Sequence, residues 1–590
     1  MSIINIVSSK VFDRKVVIRL KDRVCETSEE LLGSELFRRI LKQVLAELGR
    51  RQSRLLDMFP DKRNISAEEF SQLLETIQYL TKMPIHQVEQ LLPGSRQFTK
   101  NPDLLAEFVF YVYDFWRSFD RFLICDSSDD SLNSRPYRTF QTSAEQLMHV
   151  IRHTFRDVDA NISGMHPNIY RQVTAGAGFS AIIEKKSFAY PDGYEVLNQI
   201  PLIRNVMMYP PVVINPPMNK RTGSFERVFR NPLAGMELAP EEWLCYPARV
   251  GKLLVNIYFH EMFYELGFTL ANLFELADDQ ALERQRPDAV FLYGVPGQHL
   301  DDFGVFPTVF YDDEETGMLI GAIPGRPEFG YFGYLKKMAL TLHNICVMKE
   351  NRLPFHGALF QITLKGGKRS TILVMGDTGA GKSETLEAFR ILGADEIQDI
   401  IVIADDMGSL DIDEQGRVLG YGTEVGAFVR LDDLQPGYAF GQIDRTIMLN
   451  AGQVNARIVV PVTTYRHVVR GYPIDIVLYC NNFDQVGPTT PVLQKFESTE
   501  QALPVFRAGA SMSKGTTSST GLTHCYFANV FGPMQYQSIH DKLAERYFQA
   551  FAAAGIFVGQ MRTRLSISGW EQRGPEETAA ALLAAIRNRS

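Results

Sequence analysis

Ser370–Leu392 reads STILVMGDTGAGKSETLEAFRIL: an apolar run, a glycine-rich turn and a segment of helical periodicity in direct succession. Within it, Gly376-Asp377-Thr378-Gly379-Ala380-Gly381-Lys382-Ser383 fits G-x-x-x-x-G-K-[ST] in full. Glycines let backbone amides close around phosphate oxygens, a lysine neutralises the β and γ oxygens, and the serine hydroxyl can ligate Mg2+. The run TILVM supplies the expected strand before the loop, and SETLEAFRIL the expected helix after it. A nucleotide-binding P-loop at Gly376–Ser383 is therefore predicted, with Glu384 immediately following. A metal-holding carboxylate is expected at the end of a nearby buried strand. Ile400–Asp406, IIVIADD, has that form and makes Asp405 and Asp406 the candidates.

Outward from this loop, short β-like runs are bounded by glycine turns: ALFQITL, the turn KGGK, STILVMG, DIIVIADD and IDIVLYCNN. Upstream, about Ala181 to Gly330, runs such as DAVFLYGV and FPTVFYDD alternate with helical ones such as VGKLLVNIYFHEMFYEL, an α/β texture. From about Ser28 to Cys125, apolar positions recur at three and four, as in LLGSELFRRILKQVLAEL, so this region reads as helices. Ser66 with Glu69 supplies a capping-box start. Asp126–Arg138, DSSDDSLNSRPYR, carries turn formers without an apolar period and reads as a linker. The expectation is an α/β protein with a helical N-terminal domain over 1–130, an α/β middle region over 140–330, and a P-loop nucleotide- and metal-binding domain with a mixed sheet over 331–590.

Composition excludes several function classes. At 590 residues, more than one core is expected. The formal charge of −8 and the lack of a long basic run argue against nucleic acid as a partner. No apolar stretch reaches the length of a membrane span, and MSIINIVSSKVFDRK lacks the pattern of a secretory signal, so a cytoplasmic location with no membrane partner is expected. The cysteines, Cys25, Cys125, Cys245, Cys346, Cys480 and Cys525, stand far apart and read as reduced. The N-terminal helical region is a candidate protein-binding or oligomerising module.

The motifs resemble those of the superfamily that joins phosphoenolpyruvate carboxykinase with HPr kinase. GDTGAGKSE, FHGAL at Phe355–Leu359 and IADD at Ile403–Asp406 resemble the kinase branch. The longer resemblance, over roughly 288–586, is to ATP-dependent phosphoenolpyruvate carboxykinase. Tyr331–Lys337, YFGYLKK, is similar to Y-x-G-x-x-K-K, with His356 at the family's separation. Glu424–Arg430 resembles E-G-G-C-Y-A-K, and Asn455–Pro461 resembles N-T-R-x-x-Y-P. Ile474–Leu493, Gly509–Gly521, Phe527–Pro533 and Arg564–Ile567 resemble later family segments. The resemblance implies that Lys337, His356 and one of Asp405/Asp406 ligate Mn2+, that Arg457 contacts the transferring phosphate, and that Arg564 lies on the adenine side. It also implies ATP and Mg2+ as cofactors. A lysine ligates only as the neutral amine, so Lys337 would need a lowered pKa.

Departures from the family fall on the acceptor side. Its oxaloacetate arginine in T-G-R-S-P-K-D has only Thr222-Gly223-Ser224-Phe225-Glu226-Arg227 as a counterpart, leaving Arg221 or Arg227 to take over. The family's G-T-G-K-T-T becomes GAGKSE, its N-T-G-W is absent, and the helical first half has no counterpart. Two enzymatic expectations follow. In one, a carboxykinase-like enzyme converts oxaloacetate and ATP to phosphoenolpyruvate, ADP and CO2, or uses a changed acceptor, with Lys382 and Arg457 stabilising charge. In the other, a kinase acts on a hydroxyl of a protein or small molecule, with Asp405 as base, Asp406 and Ser383 on Mg2+, and His356 near the γ-phosphate. A third expectation is a non-enzymatic nucleotide sensor.

Overall fold

The computed structural model describes residues 6–21, 24–127, 137–164, 175–284, 286–377, 379–392, 396–431, 442–514 and 520–588. The protein is of mixed α/β type, with 39% helix and 29% strand in several mixed sheets. Two compact units are present: Met1–Glu184 with Ile203–Tyr209, and Lys185–Leu202 with Pro210–Ser590. Among the described residues, no helix is long and apolar enough to cross a membrane.

The first unit is not the purely helical domain that the periodicity predicts. Ile6–Phe12 and Lys15–Leu20 form an antiparallel hairpin, and Lys15–Leu20 then pairs in parallel with Asp120–Asp126. Asp120–Asp126 in turn pairs in parallel with Phe179–Glu184. The helical reading to Cys125 therefore fails after Arg117, where Pro102–Arg117 ends. Phe122–Cys125 is buried without interruption, and a continuous apolar run of four cannot be told from a buried helical turn by periodicity. Helices Glu35–Arg50, Ala67–Leu80 and Pro102–Arg117 do form, and their apolar faces build one core around Leu41, Leu73, Leu105 and Phe108. The capping box holds: Ser66 Oγ accepts from Glu69 N at 3.2 Å, and the Glu69 carboxylate accepts from Ser66 N at 2.8 Å. Residues 128–136 of the predicted linker lie outside the described residues. Asp126 and Tyr137 on either side belong to the same unit.

In the second unit, the strands Trp243–Val250, Leu253–His260, Ala289–Val295, Met318–Pro324, Val309–Asp313 and Glu226–Val228 follow one another in pairing order. Helix Phe332–Lys349 is buried on nearly every face, as a helix between packed layers must be. A further sheet runs in the order Tyr472–Pro473, Val418–Gly422, Met407–Ile412, Leu353–Leu364, Arg369–Met375, Ile476–Asn481, Phe557–Arg562 and Leu493–Lys495. Leu353–Leu364 is its organising strand. It pairs along one edge with Arg369–Met375, and along the other first with Met407–Ile412 and then with Ile397–Ala404. The fork opposite its middle is where Asp405 and Asp406 emerge.

Glycine is required where this fork closes. A Cβ on Gly422 would stand 1.9 Å from the Ile403 carbonyl oxygen, which is fixed backbone. Gly422→Ala should lower unfolding stability by about 2–3 kcal/mol through overpacking, read as a lower urea midpoint; an unchanged midpoint would refute the packing.

Acid sensitivity has an identifiable source in the same unit. Burial pushes His343 down to about 4, against its hydrogen bond with Asn344. The unfolded imidazole takes its proton near pH 6.5, so the stability this group contributes is complete above about 6.5 and lost as pH falls toward 4. The loss amounts to about 3 kcal/mol at most. Urea melts at pH 7.5 and 4.5 should show it, and His343→Gln should flatten the difference; equal slopes in the two proteins would rule His343 out.

Candidate functional site

The strand, glycine-rich turn and helix that the sequence predicts around Gly376–Ser383 are present. Strand Arg369–Met375 enters at Gly376, and helix Lys382–Leu392 leaves from the lysine. Gly379 and Gly381 adopt φ of +79° and +107°, the region open to glycine without strain. Side chains from neighbouring strands hold the loop's carbonyls from behind. Thr563 Oγ1 donates to Ala380 O at 2.7 Å, Cys480 Sγ to the same oxygen at 3.0 Å, and Asn482 Nδ2 to Gly379 O at 3.1 Å. Lys382 Nζ is buried and folds back to donate to Gly376 O at 2.5 Å and Asp377 O at 3.3 Å. Glu384 sits half-buried in the first helical turn. Thr378 and the side chain of Ser383 lie outside the described residues.

The strand register carries the loop to the acidic pair. Gly376 N donates to His356 O at 3.2 Å, and Gly357 N donates to Asp406 O at 2.9 Å. His356 pairs with Met407, directly after Asp406. The His356 Nε2–Asp406 Oδ1 distance is 2.9 Å. The other ring nitrogen, Nδ1, meets the carbonyl of Ala528, an acceptor, so Nδ1 carries a proton. That carbonyl is presented by a strained stretch: Phe527, Ala528 and Asn529 have φ of 45°, 56° and 65°, costly for residues bearing a Cβ.

Asp406 also receives the Lys336 ammonium, at 2.8 Å from its Oδ2, and Lys336 reaches Glu424 Oε1 at 3.3 Å. Burial works against charge on Asp406, but Lys336 first and His356 next outweigh it and hold its carboxyl well below the usual range. Burial, then repulsion from Asp406, raises Asp405, with Lys336 and Lys382 opposing. Burial likewise pushes Glu424 up to about 8, with Lys336 opposing and the two aspartates reinforcing. Lys337, one residue along the helix, behaves in the opposite way to Lys336. Burial and the nearby Arg221 guanidinium bring it down to about 8, against Asp406 and Asp377. Its ammonium stands 4.9 Å from the Phe531 ring centroid.

Arg221 is the arginine near Thr222 that turns to this side. Burial lowers its pKa, against Tyr334 and Tyr331, and its Nη1 donates to Gly223 O at 2.8 Å. Tyr334 Oη bridges the Thr222 backbone, accepting from its N–H at 2.8 Å and donating to its carbonyl at 3.0 Å. Arg227 instead pairs with Glu314 at 2.9 Å and lies over the Tyr536 ring. Arg457 sits opposite Arg430 in the strand register, over the Phe428 ring at 5.4 Å, and acts electrostatically on Tyr331. The structure thus brings Lys337, His356, Asp405, Asp406, Lys382 and Arg221 into one neighbourhood. Arg564 follows Thr563 at the back of the P-loop, but its guanidinium lies on the Trp570 ring at 3.8 Å and pairs with Glu577 at 2.5 Å.

Sequence reasoning passed over Lys336, Thr563 and Asn482. Only their position beside motif residues could have marked them. Of the Gly509–Gly521 segment, 515–519 lie outside the described residues. Among the described residues, no group of three or more His, Cys, Asp or Glu side chains is arranged to hold a metal ion. Compared with known proteins, the chain matches no family model and no curated sequence.

The two aspartates should respond differently to neutralisation. Asp406→Asn leaves Lys336 buried with Glu424 alone and should cost on the order of 3 kcal/mol, whereas Asp405→Asn relieves like-charge repulsion and should be neutral or stabilising. Chemical denaturation of both variants checks this, and equal destabilisation would contradict the assigned ion pairs.

Proposed function

We propose that the chain is a metal-dependent, ATP-using phosphoryl transferase whose metal and acceptor site resembles that of phosphoenolpyruvate carboxykinase. The observation that carries this reading is the contrast between adjacent lysines: Lys336 is paired with Asp406 at 2.8 Å, while Lys337 is held down to about 8 beside Arg221. A lysine near neutrality can present a lone pair, and so can act as a ligand where an ammonium cannot. His356 supports the same reading, because its Nδ1 proton is committed to the Ala528 carbonyl and its Nε2 donates to Asp406 Oδ1 at 2.9 Å, a proton position that a divalent ion held by both groups would take. A histidine that ligates through one nitrogen while donating from the other to a carbonyl is the usual arrangement at metal centres. Lys337, His356 and Asp406 would hold the Mn2+, and Ser383 and Asp405 lie in sequence where a Mg2+ accompanying ATP would be met.

The remaining residues divide the work. The Gly376–Ser383 loop cradles the phosphates, and Lys382, now resting on loop carbonyls, turns to the β and γ oxygens as charge grows there. Arg457 meets the phosphoryl group in flight. Arg221 stands in for the family's substrate arginine and orients an acceptor carboxylate. With oxaloacetate as acceptor, the bond to the departing carboxylate breaks, CO2 leaves, the enolate oxygen bonds the γ-phosphorus, and ADP departs. A bound divalent ion supplies Lewis-acid stabilisation of that enolate oxygen. The clustering of cationic and nucleotide-binding groups favours an enzyme over a nucleotide sensor.

A hydroxyl kinase of the HPr kinase kind is the second reading, favoured by Asp405. Its pKa is raised by burial and by Asp406, which suits a general base. In that case the hydroxyl proton passes to Asp405 as the oxygen bonds the γ-phosphorus.

Lys382→Ala should reduce ADP release at least a hundredfold with an unchanged melting temperature; wild-type turnover would remove the P-loop from the mechanism. Lys337→Met keeps the side chain's length and removes the ligand. Oxaloacetate-dependent ADP formation should fall at least tenfold and the preference for Mn2+ over Mg2+ should disappear. Full activity of Lys337→Met, with Mg2+ sufficient and Asp405→Asn inactive, would transfer the assignment to the kinase.

A further inference from the structure

The first unit contains an apolar cavity of about 120 Å³, walled by residues including Ile77, Val112, Leu147, Ile151 and Val158. Packed interiors carry few voids larger than a water molecule. Val112, Val158, Cys25 and Ser34 are among the smaller residues of its wall. A dry cavity of roughly 150 Å³ with walls of this kind accepts benzene, so the space here suits a hydrocarbon group of about six carbons. Water would find few partners inside, because the aliphatic hydroxyls of the wall are engaged: Thr154 bonds Ser28 Oγ and Val150 O, both at 2.7 Å, and Ser34 donates to Leu31 O at 2.7 Å.

One side of the cavity is different in character. Tyr113, Trp116 and Phe155 line it and are only half-buried, with Tyr113 stacked on Phe155 at 4.4 Å between centroids. Guanidinium groups gather there. Arg117 stands 5.9 Å from the Tyr113 centroid and Arg121 5.7 Å from that of Trp116. Arg117, Arg152 and Arg121 all act electrostatically on the Tyr113 hydroxyl, with Asp114 opposing. Arg117 is paired with Asp114 at 2.8 Å, and Arg121 is turned to the carbonyls of Gly176 and Trp116.

We propose that this cavity binds a small amphipathic anion, an alkyl or aryl carboxylate of about six carbons, with its tail among Val112, Leu147 and Ile151 and its carboxylate on the Arg117 side of Tyr113, where the buried Arg117 Nε has no hydrogen-bond partner among the described residues. The site is independent of the P-loop reading, since every residue in it belongs to the first unit.

Trp116 reports on occupancy. Titration of the full chain with 6-bromohexanoate should quench its fluorescence saturably, and Trp116→Phe, which retains Trp243 and Trp570, should abolish that quenching. Displacement by unbranched alkanoates should tighten about threefold to fourfold per methylene up to about six carbons and then stop improving. Val112→Phe, which fills the cavity, should weaken hexanoate at least tenfold, and Arg117→Gln should weaken it severalfold. Hexanol should bind more weakly than hexanoate. The proposal is overturned if no quenching occurs, if affinity climbs steadily through decanoate as in surface adsorption, or if hexanol matches hexanoate. Should Val112→Phe not fold, the chain-length series on the wild-type chain decides alone.

Discussion

Asp406 is held between a lysine and a histidine, and the site is assembled around that carboxylate. Lys336 comes from the buried helix Phe332–Lys349, His356 from the strand Leu353–Leu364, and Asp406 itself from the end of Ile397–Ala404. Three separately folded elements therefore meet at one anion. Burying such charges costs several kcal/mol per ion before pairing, and the return comes only with close geometry, here 2.8 Å to Lys336 and 2.9 Å to His356. Glu424 shares the lysine, while burial pushes its carboxyl up to about 8. The arrangement spends stability on orientation. Among the described residues, Lys337, on the adjacent helical position, makes no ion pair of that closeness.

The glycine-rich loop was legible because it combines a dense local motif with a strand before it and a helix after it, each with its own period. His356 and the Asp405/Asp406 pair were legible for a related reason, since they sit on or just after strongly apolar runs. The N-terminal hairpin Ile6–Leu20 was not. Its alternation is weak, and Asp13 and Arg14 at the turn, with φ of 39° and 64°, are not glycines, so no turn signal marked it. Asp120–Asp126 was hidden for the opposite reason, being apolar without any alternation and following a helix of similar composition.

The roles of the paired lysines could not be separated from sequence, because Lys336 and Lys337 differ only in what tertiary packing places opposite each. Arg564 illustrates the same limit. Its motif position is kept, yet Trp570 and Glu577, residues outside the motif, determine where the guanidinium lies. Local pattern identifies which groups are candidates, while long-range pairing decides their protonation and direction.

Leu353–Leu364 changes partner halfway along one edge while keeping a single partner along the other. A strand alternates its faces residue by residue, so a slip of one position would turn His356 away from the acids and reverse the whole strand. Three neighbours would have to slip with it. The spacing between imidazole, carboxylate and glycine-rich loop is thereby indexed to backbone pairing and insulated from the lengths of the turns that join the strands. Insertions in a turn such as KGGK at Lys365–Lys368 can accumulate without disturbing that geometry, whereas a single residue added within the strand would dismantle it.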